Sequence, residues 1–166
     1  MSIQLSHSEI TNTVTNNEII VVADEIRSPA NVGMILRVSE AFGSKEVIFL
    51  GNTPNLENRK VKRTSRSSEN GLKILFNQPT KETIESLKSR DFKLIGIEIT
   101  DNSSAIKDFD FIKLNKIAVF IGNEKEGIDS EILKKLDCIF HFDLFGKNSS
   151  INVVNALSVA LYEINR

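Results

Sequence analysis

Residues 18–43 read EIIVVADEIRSPANVGMILRVSEAFG and contain the pattern that decides the fold. An apolar, β-branched run opens the stretch and is typical of a buried strand, and the residues after it predict a helix over Ala30–Phe42. Ser28 can cap that helix, Pro29 is favoured in its first turn, and Gly43 can end it. The stretch therefore predicts a strand followed by a well-delimited helix.

The same alternation of strand and helix patterns continues along the chain. Alternating elements of this kind indicate an α/β fold with a mainly parallel sheet and helices on both faces. Ser149 or Ser150 is the expected cap of the final helix. The predicted strands are Glu18–Ala23, Glu46–Leu50, Leu94–Ile99, Ile117–Ile121 and Cys138–Phe142, and the further helices are Lys81–Ser89 and Ile151–Ile164.

A length of 166 residues suits one compact domain. Residues 1–17 are rich in Ser, Thr and Asn without periodicity, so they predict a flexible or loosely docked segment before a single domain over 18–166. The first residues lack the basic start and apolar core of a signal peptide, and no apolar run reaches bilayer length. We therefore expect a cytoplasmic protein that does not contact a membrane.

Charge is distributed unevenly, although the net charge is only −1. Residues 27–73 carry nine basic side chains against four acidic ones, whereas residues 81–143 carry ten against thirteen. The densest basic stretch is RKVKRTSR at 59–66, with five cations in eight residues. It is either an ordinary solvated face or a surface that binds phosphate. In the second case the phosphate would contact Arg59, Lys60, Lys62, Arg63 and Arg66.

Three short motifs set small residues beside polar ones at the ends of apolar runs, where a parallel sheet forms its ligand crevice. Each also has a purely structural explanation. A glycine at position 33 could serve helix packing, the second motif could be an ordinary turn with Glu124 near a helix start, and the serines of the third could simply cap a helix. The motifs are NVGMILR (31–37), IGNEKEG (121–127) and SSINV (149–153).

Several common active sites are excluded. Ile128-Asp129 stands where a phosphate-binding P-loop requires Lys-Ser or Lys-Thr, and no dinucleotide-binding glycine pattern follows a strand. The two histidines, His7 and His141, cannot assemble a catalytic triad or a metal site with the cysteine and acidic residues at these spacings. His141 is expected to be partly buried and hydrogen-bonded. We therefore expect no bound metal.

Taken together and in this order, the motifs resemble those of the SpoU-type (TrmH-like) RNA ribose methyltransferases of the SPOUT superfamily. The resemblance extends from about Val21 to the C-terminus. Asn31, Gly33 and Arg37 match Asn-x-Gly-x-x-x-Arg; Gly122, Glu124 and Gly127 match Gly-x-Glu-x-x-Gly; Ser150, Ile151, Asn152 and Val153 match Ser-Leu-Asn-Val.

This resemblance implies that a methyl group passes from S-adenosylmethionine to a ribose 2′-hydroxyl of tRNA or rRNA. It also implies a C-terminal deep trefoil knot, an exception to the rule that chains do not thread loops, and a homodimer. Two other readings stay open: a catalytically inactive RNA-binding SPOUT relative, and an unrelated nucleotide-binding α/β protein. The final helix, apolar around much of its circumference, independently favours burial on more than one face.

The resemblance also implies roles for individual residues. Arg37 would act as the base or orient substrate phosphate, and Lys147 would contact RNA together with the basic stretch. Asp143 departs from the family pattern, because relatives often carry proline there. The implied catalytic residues are Arg37, Asn31, Glu124, Ser150 and Asn152, and the implied donor-binding residues are Gly122, Asn123, Leu144, Gly146 and Ile151.

Overall fold

A computed structural model of the chain describes Glu9, Thr13 and residues 17–166, so the prediction for residues 1–17 falls almost wholly outside the described residues. The strands are β1 (Glu18–Asp24), β2 (Glu46–Leu50), β3 (Lys73–Gln78), β4 (Lys93–Ile97), β5 (Ser104–Ala105), β6 (Lys116–Ile121) and β7 (Cys138–His141). The helices are α1 (Pro29–Ala41), α2 (Arg59–Ser65), α3 (Thr80–Ser89), α4 (Ser130–Leu133) and α5 (Val153–Asn165).

The seven described strands form one sheet in the order β3-β2-β1-β6-β4-β7-β5, and every pairing is parallel. β1 lies near the centre, so its side chains are buried on both faces. Ile19 and Val21 belong to the core beneath α1 and α5, whereas Ile20 and Val22 belong to the core beneath α3. The predicted α/β class, with helices on both faces of a parallel sheet, is confirmed.

α1 follows the sequence signals closely. The Ser28 hydroxyl accepts a hydrogen bond from the Asn31 backbone N–H at 3.5 Å, Pro29 is the first helical residue, and Gly43 lies just beyond the end with a φ of 77°. A positive φ favours glycine, because a Cβ makes that backbone conformation unfavourable. The predicted cap, first turn and stop of this helix are all confirmed.

The start of α5 differs from the prediction. The helix begins at Val153, and the Asn152 side chain caps it by accepting a hydrogen bond from the Val154 N–H at 2.9 Å. Ser149 and Ser150 are exposed and precede the cap. The prediction of a serine cap was therefore wrong. Asn152 is a poor helix former within a helix, but it occupies the N-cap position, where asparagine is favoured.

Four elements were not predicted: α2, β3 and the two short elements β5 and α4. α2 buries only Val61 and Ser65, so its sequence lacks the apolar periodicity of a longer amphipathic helix. β3 pairs with β2 alone and is only partly buried. In addition, β4 ends at Ile97 rather than Ile99. α2 and β3 lie in the basic stretch and at an edge of the sheet, where hydrophobic patterning is weakest.

α2 packs on α1 at Gly33. A Cβ at Gly33 would lie 2.1 Å from Thr64 Oγ1 and 2.4 Å from the Val61 carbonyl oxygen. Because the second contact is with backbone, a rotamer change of Thr64 alone would not relieve the clash. The packing interpretation of Gly33 is therefore confirmed, and the helix that needs this glycine is the one that carries the basic stretch.

We expect Gly33→Ala to lower the free energy of unfolding by about 1–3 kcal/mol, the usual range for overpacking, because α2 must move away from α1. Gly71→Ala is the matched control, since the nearest atom to a Cβ there is Glu40 Cγ at 3.4 Å; it should change stability by less than about 0.5 kcal/mol. Denaturant unfolding measures both. Wild-type stability of Gly33→Ala would show that the two helices do not need the glycine.

Candidate active site

A cavity of about 500 Å³ opens at the carboxyl edge of the sheet, beyond β4, β6 and β7. It is walled by the turn after β6, the loop after β7 and the start of α5. Of the residues predicted to bind the methyl donor, Gly122, Asn123, Leu144 and Ile151 line it. Gly146 is exposed and does not. Four of the five thus surround one cavity.

The turn after β6 is closed by two backbone hydrogen bonds between Asn123 and Gly127, of 2.9 and 3.0 Å. The Asn123 side chain also holds it, donating to the Glu25 carbonyl at 2.8 Å and accepting from the Lys125 N–H at 2.9 Å. A Cβ at Gly122 would lie 2.1 Å from the Gly127 carbonyl carbon. Glycine at position 122 is thus required by the turn itself.

A chain of hydrogen bonds joins the three sequence motifs beside this cavity. The Glu124 carboxylate accepts from the Asn31 side-chain amide at 2.9 Å and from the N–H groups of Arg27 and Ser28 at 3.3 and 3.1 Å. The Asn31 amide oxygen in turn accepts from the Asn152 side chain at 3.4 Å. Three of the five predicted catalytic residues are therefore in contact.

Glu124 is held as a carboxylate in this arrangement. Partial burial raises its pKa, but hydrogen bonds from backbone N–H groups and from Asn31 outweigh burial, and the pKa lies below its ordinary value. The start of α1, beside which Glu124 lies, also favours a negative charge. Glu124 therefore accepts hydrogen bonds at neutral pH and is unsuited to take up a proton.

The remaining two predicted catalytic residues lie apart from this chain of hydrogen bonds. Ser150 is exposed at the cavity wall. Arg37 is exposed on α1, six residues beyond Asn31, which is about 9 Å along a helix axis. It follows Gly33 by four residues, so it lies on the side of α1 that packs against α2. Arg37 does not line the cavity.

The basic stretch forms a continuous exposed surface on and just after α2, which we call the basic surface. All five of its cations are exposed, and no ion pair within residues 17–166 includes any of them. Lys147, predicted to contact RNA as well, is exposed in the loop between β7 and α5. The basic surface consists of Arg59, Lys60, Lys62, Arg63 and Arg66.

Glu98 is a cavity residue that the sequence reasoning missed. It follows β4, and its carboxylate accepts from the Ile99 N–H at 2.9 Å and from the Ile128 N–H at 3.1 Å. The sequence placed it inside a strand that ends two residues earlier in the structure. The available signal was its position, because a polar residue directly after an apolar strand lies at the carboxyl edge of the sheet.

A larger cavity of about 980 Å³ lies on the other side of the turn, between α3 and α4. The turn separates the two cavities, since Asn123 and Gly127 line both. Asp24 and Asp129 also line the larger one, and burial raises the pKa of Asp24, whose carboxylate accepts from the Asp129 N–H. The motifs converge on the smaller cavity, which is therefore the better candidate.

Other chemistry has little support in the structure. His141 is partly buried and its Nδ1 hydrogen-bonds to the Ser103 hydroxyl at 2.9 Å, as a structural histidine would. Among the described residues, no cluster of three or more His, Cys, Asp or Glu side chains could hold a metal ion. None of the described helices combines the length and apolar character needed to cross a membrane.

Comparison with known proteins gives a consistent result. The chain is 32% identical over 152 residues to an uncharacterized tRNA/rRNA methyltransferase of Borreliella burgdorferi, covering 90% of this chain and 64% of that protein. It is 25% identical to the Bacillus subtilis 23S rRNA (guanosine(2553)-2′-O)-methyltransferase RlmP, covering 87% of this chain and 57% of the relative. The chain thus spans less than two thirds of the length of these relatives.

The fold agrees with a solved structure as well. The SpoU methyltransferase AviRb from Streptomyces viridochromogenes, in complex with the cofactor AdoMet, superposes with a TM-score of 0.82 at 26% identity, over 91% of this chain and 60% of that one. The model of the SpoU rRNA Methylase family matches residues 18–162, which include all three motifs. The resemblance of the motifs is thereby confirmed: the chain belongs to the SpoU rRNA methylase family.

Proposed function

We propose that this protein transfers a methyl group from S-adenosylmethionine to a ribose 2′-hydroxyl of tRNA or rRNA. The observation that carries the proposal is the hydrogen-bonded chain Glu124–Asn31–Asn152, which joins three separate motifs at the wall of one cavity. Family membership and relatives named as tRNA or rRNA methyltransferases support it. The proposal requires no metal.

The cavity suits an adenosyl donor in size and lining. Its volume of about 500 Å³ is within the range of small-molecule sites. Ile97, Ile121 and Phe140 give it apolar walls, and the turn after β6 brings backbone close to it. S-adenosylmethionine supplies a methyl group on a positively charged sulfur, which leaves as a neutral thioether once the methyl group has been transferred. We propose Gly122, Asn123, Leu144 and Ile151, which line the cavity, as its binding residues.

We propose that Asn31, Glu124, Ser150 and Asn152 orient the ribose and the donor, and that Arg37 acts on the ribose and its phosphate. A 2′-hydroxyl must lose its proton as its oxygen attacks the methyl carbon, and correct alignment contributes much of the rate. Because guanidinium is effectively always protonated, Arg37 is better suited to hold a phosphate and stabilise the developing negative oxygen than to accept the proton.

The remaining parts of the proposal concern assembly and RNA recognition. We propose that residues 18–166 form a single SPOUT methyltransferase domain with a C-terminal trefoil knot, and that it works as a homodimer in the cytoplasm. The basic surface and Lys147 would bind RNA, because five exposed cations with no ion pair to an acidic side chain within residues 17–166 suit a phosphate backbone. Val159 and Tyr162 are exposed and lie three residues apart on α5, so they form a partly apolar surface that supports a dimer contact.

Arg37→Ala should abolish methyl transfer and leave donor binding unchanged, since Arg37 does not line the cavity. Arg37→Lys should fail as well, because lysine lacks the planar fork of guanidinium. The assay follows radioactive methyl transfer from S-adenosylmethionine to RNA from a strain that lacks the protein, and calorimetry follows donor binding. A loss of at least about 10²-fold is expected from the usual size of such effects.

Glu40→Ala is the control for this experiment, because Glu40 is an exposed residue of the same helix. It should keep wild-type turnover. If Arg37→Ala retains more than about a tenth of wild-type turnover, Arg37 is not essential, because the loss is then smaller than the roughly 10²-fold that acid–base catalysis typically contributes. If the wild-type protein binds donor and RNA without transferring a methyl group, it is an inactive relative.

Reversing two charges of the basic surface, Lys62→Glu with Arg63→Glu, should weaken RNA binding and make it less dependent on salt. Each lost phosphate contact lowers the slope of log affinity against log salt by about 0.7–0.9. Lys45→Glu with Lys113→Glu is the control, since both residues are exposed near the amino ends of strands, at the opposite edge of the sheet. An unchanged salt slope in the first variant would place the RNA surface elsewhere.

Val159→Asp with Tyr162→Asp should convert a dimer into a monomer, because a two-fold contact would bring the new charges together. Sedimentation should give about twice 18.6 kDa for the wild type and 18.6 kDa for the variant. Ile112→Asp is the control, since Ile112 is 80% exposed but lies just before β6, at the other edge of the sheet. A monomeric wild type with full methyl transfer would refute the dimer.

A further inference from the structure

Of the two carboxylates that line the cavity, Glu98 and Glu124, Glu98 has more of its hydrogen-bonding capacity left unused by the protein. An ionised carboxylate offers about four acceptor positions, and Glu98 uses one on the Ile99 N–H and one on the Ile128 N–H. By contrast, Glu124 accepts three hydrogen bonds from Arg27, Ser28 and Asn31. Within residues 17–166, Glu98 forms no ion pair.

Glu98 is also fixed in place. Its backbone N–H donates to the Phe140 carbonyl at 3.0 Å, which continues the pairing of β4 with β7. Its carboxylate lies so close to Gly127 that a Cβ there would be 2.4 Å from Glu98 Oε2. Because Gly127 has no Cβ and adopts a φ of 72°, the turn can lie directly against this carboxylate. Glu98 therefore presents its free acceptor positions to the cavity without needing to reorganise.

Glu98 and Glu124 lie at different sides of the turn after β6. Glu98 contacts the base of the turn, at Gly127 and Ile128, whereas Glu124 lies at the other side, against the start of α1. If the methyl group is transferred beside Asn31, Glu124 and Asn152, the sulfur lies toward Glu124. The nucleoside part of the donor then extends toward Glu98.

We propose that Glu98 recognises the ribose of the methyl donor by accepting hydrogen bonds from its 2′- and 3′-hydroxyls. The two oxygens of a carboxylate match a vicinal pair of hydroxyl donors, and an acidic residue at the carboxyl edge of a parallel sheet binds ribose in this way in other α/β proteins. This inference rests on the proposed donor site and adds the residue that selects a ribonucleoside. Glu98 also stabilises the turn, so the two effects must be separated.

The test is a cycle that pairs a protein change with a ligand change. Calorimetry on the whole chain measures the Kd of S-adenosylhomocysteine and of its 2′,3′-dideoxy analogue, for the wild type and for Glu98→Ala. Removing the hydroxyls should weaken wild-type binding about 10- to 100-fold, the usual effect of hydrogen bonds to a charged group. In Glu98→Ala the same removal should weaken binding less than about 3-fold, since no charged acceptor is left.

Two further variants separate binding of the hydroxyls from stabilisation of the turn. Glu98→Gln keeps the length of the side chain and an acceptor for the Ile128 N–H, so its turn should stay in place while the hydroxyl effect falls below that of the wild type. Glu126→Ala is the matched control, because Glu126 belongs to the same turn but lines the larger cavity and pairs with Arg27. It should keep the full hydroxyl effect.

Each other outcome would overturn the inference. If Glu98→Ala weakens both ligands equally and keeps the wild-type ratio, Glu98 acts only through the turn. If it weakens S-adenosylmethionine alone and spares S-adenosylhomocysteine, the carboxylate faces the sulfonium and not the ribose. If the wild-type protein binds neither ligand at millimolar concentration, the proposed donor site fails and this inference fails with it.

Discussion

The contact on which the site depends is the Glu124 carboxylate at the start of α1. It accepts hydrogen bonds from the backbone of Arg27 and Ser28 and from the side chain of Asn31, so it joins the turn after β6 to the first turn of a helix. A negative charge is favoured there by the helix dipole and by N–H groups without helical partners. Through Asn31 the same contact reaches Asn152, which caps α5. One carboxylate thus links the start of α1, through Asn31, to the start of α5.

The structural and functional explanations of the motif glycines are compatible. Gly33 allows α2 to approach α1, and Gly122 allows the turn after β6 to fold back on itself. Neither glycine needs a ligand to explain it. Yet the first contact sets the basic helix beside the helix of Arg37, and the second forms a wall of the cavity. The close packing that each glycine allows is therefore also what positions the parts of the site.

Much of the fold could be predicted from the sequence because its signals are local. The limits of β2 were predicted to the residue, and those of α1 within one residue, from β-branched runs, a serine cap, a proline and a stop glycine. α2 was not predicted because a single valine among cations gives no helical periodicity of apolar residues, and the helix packs against Gly33 of α1. The cap at Asn152 depends on the path of the loop before α5, and Glu98 was missed because its position directly after a strand was not used as a signal.

The position of β6 between β1 and β4 has a consequence for folding kinetics. β1 pairs with β6, and Asn31 contacts Asn152 across 121 residues of sequence. The centre of the sheet therefore cannot form until the chain has been synthesised beyond residue 121. Until then β1 can pair with β2 but not with β6. Contacts so distant in sequence slow folding, since the entropy of closing the long loop is lost before the pairing stabilises it. The cavity is accordingly among the last features to form, and an arrested or truncated chain would leave the backbone edge of β1 that pairs with β6 unpaired.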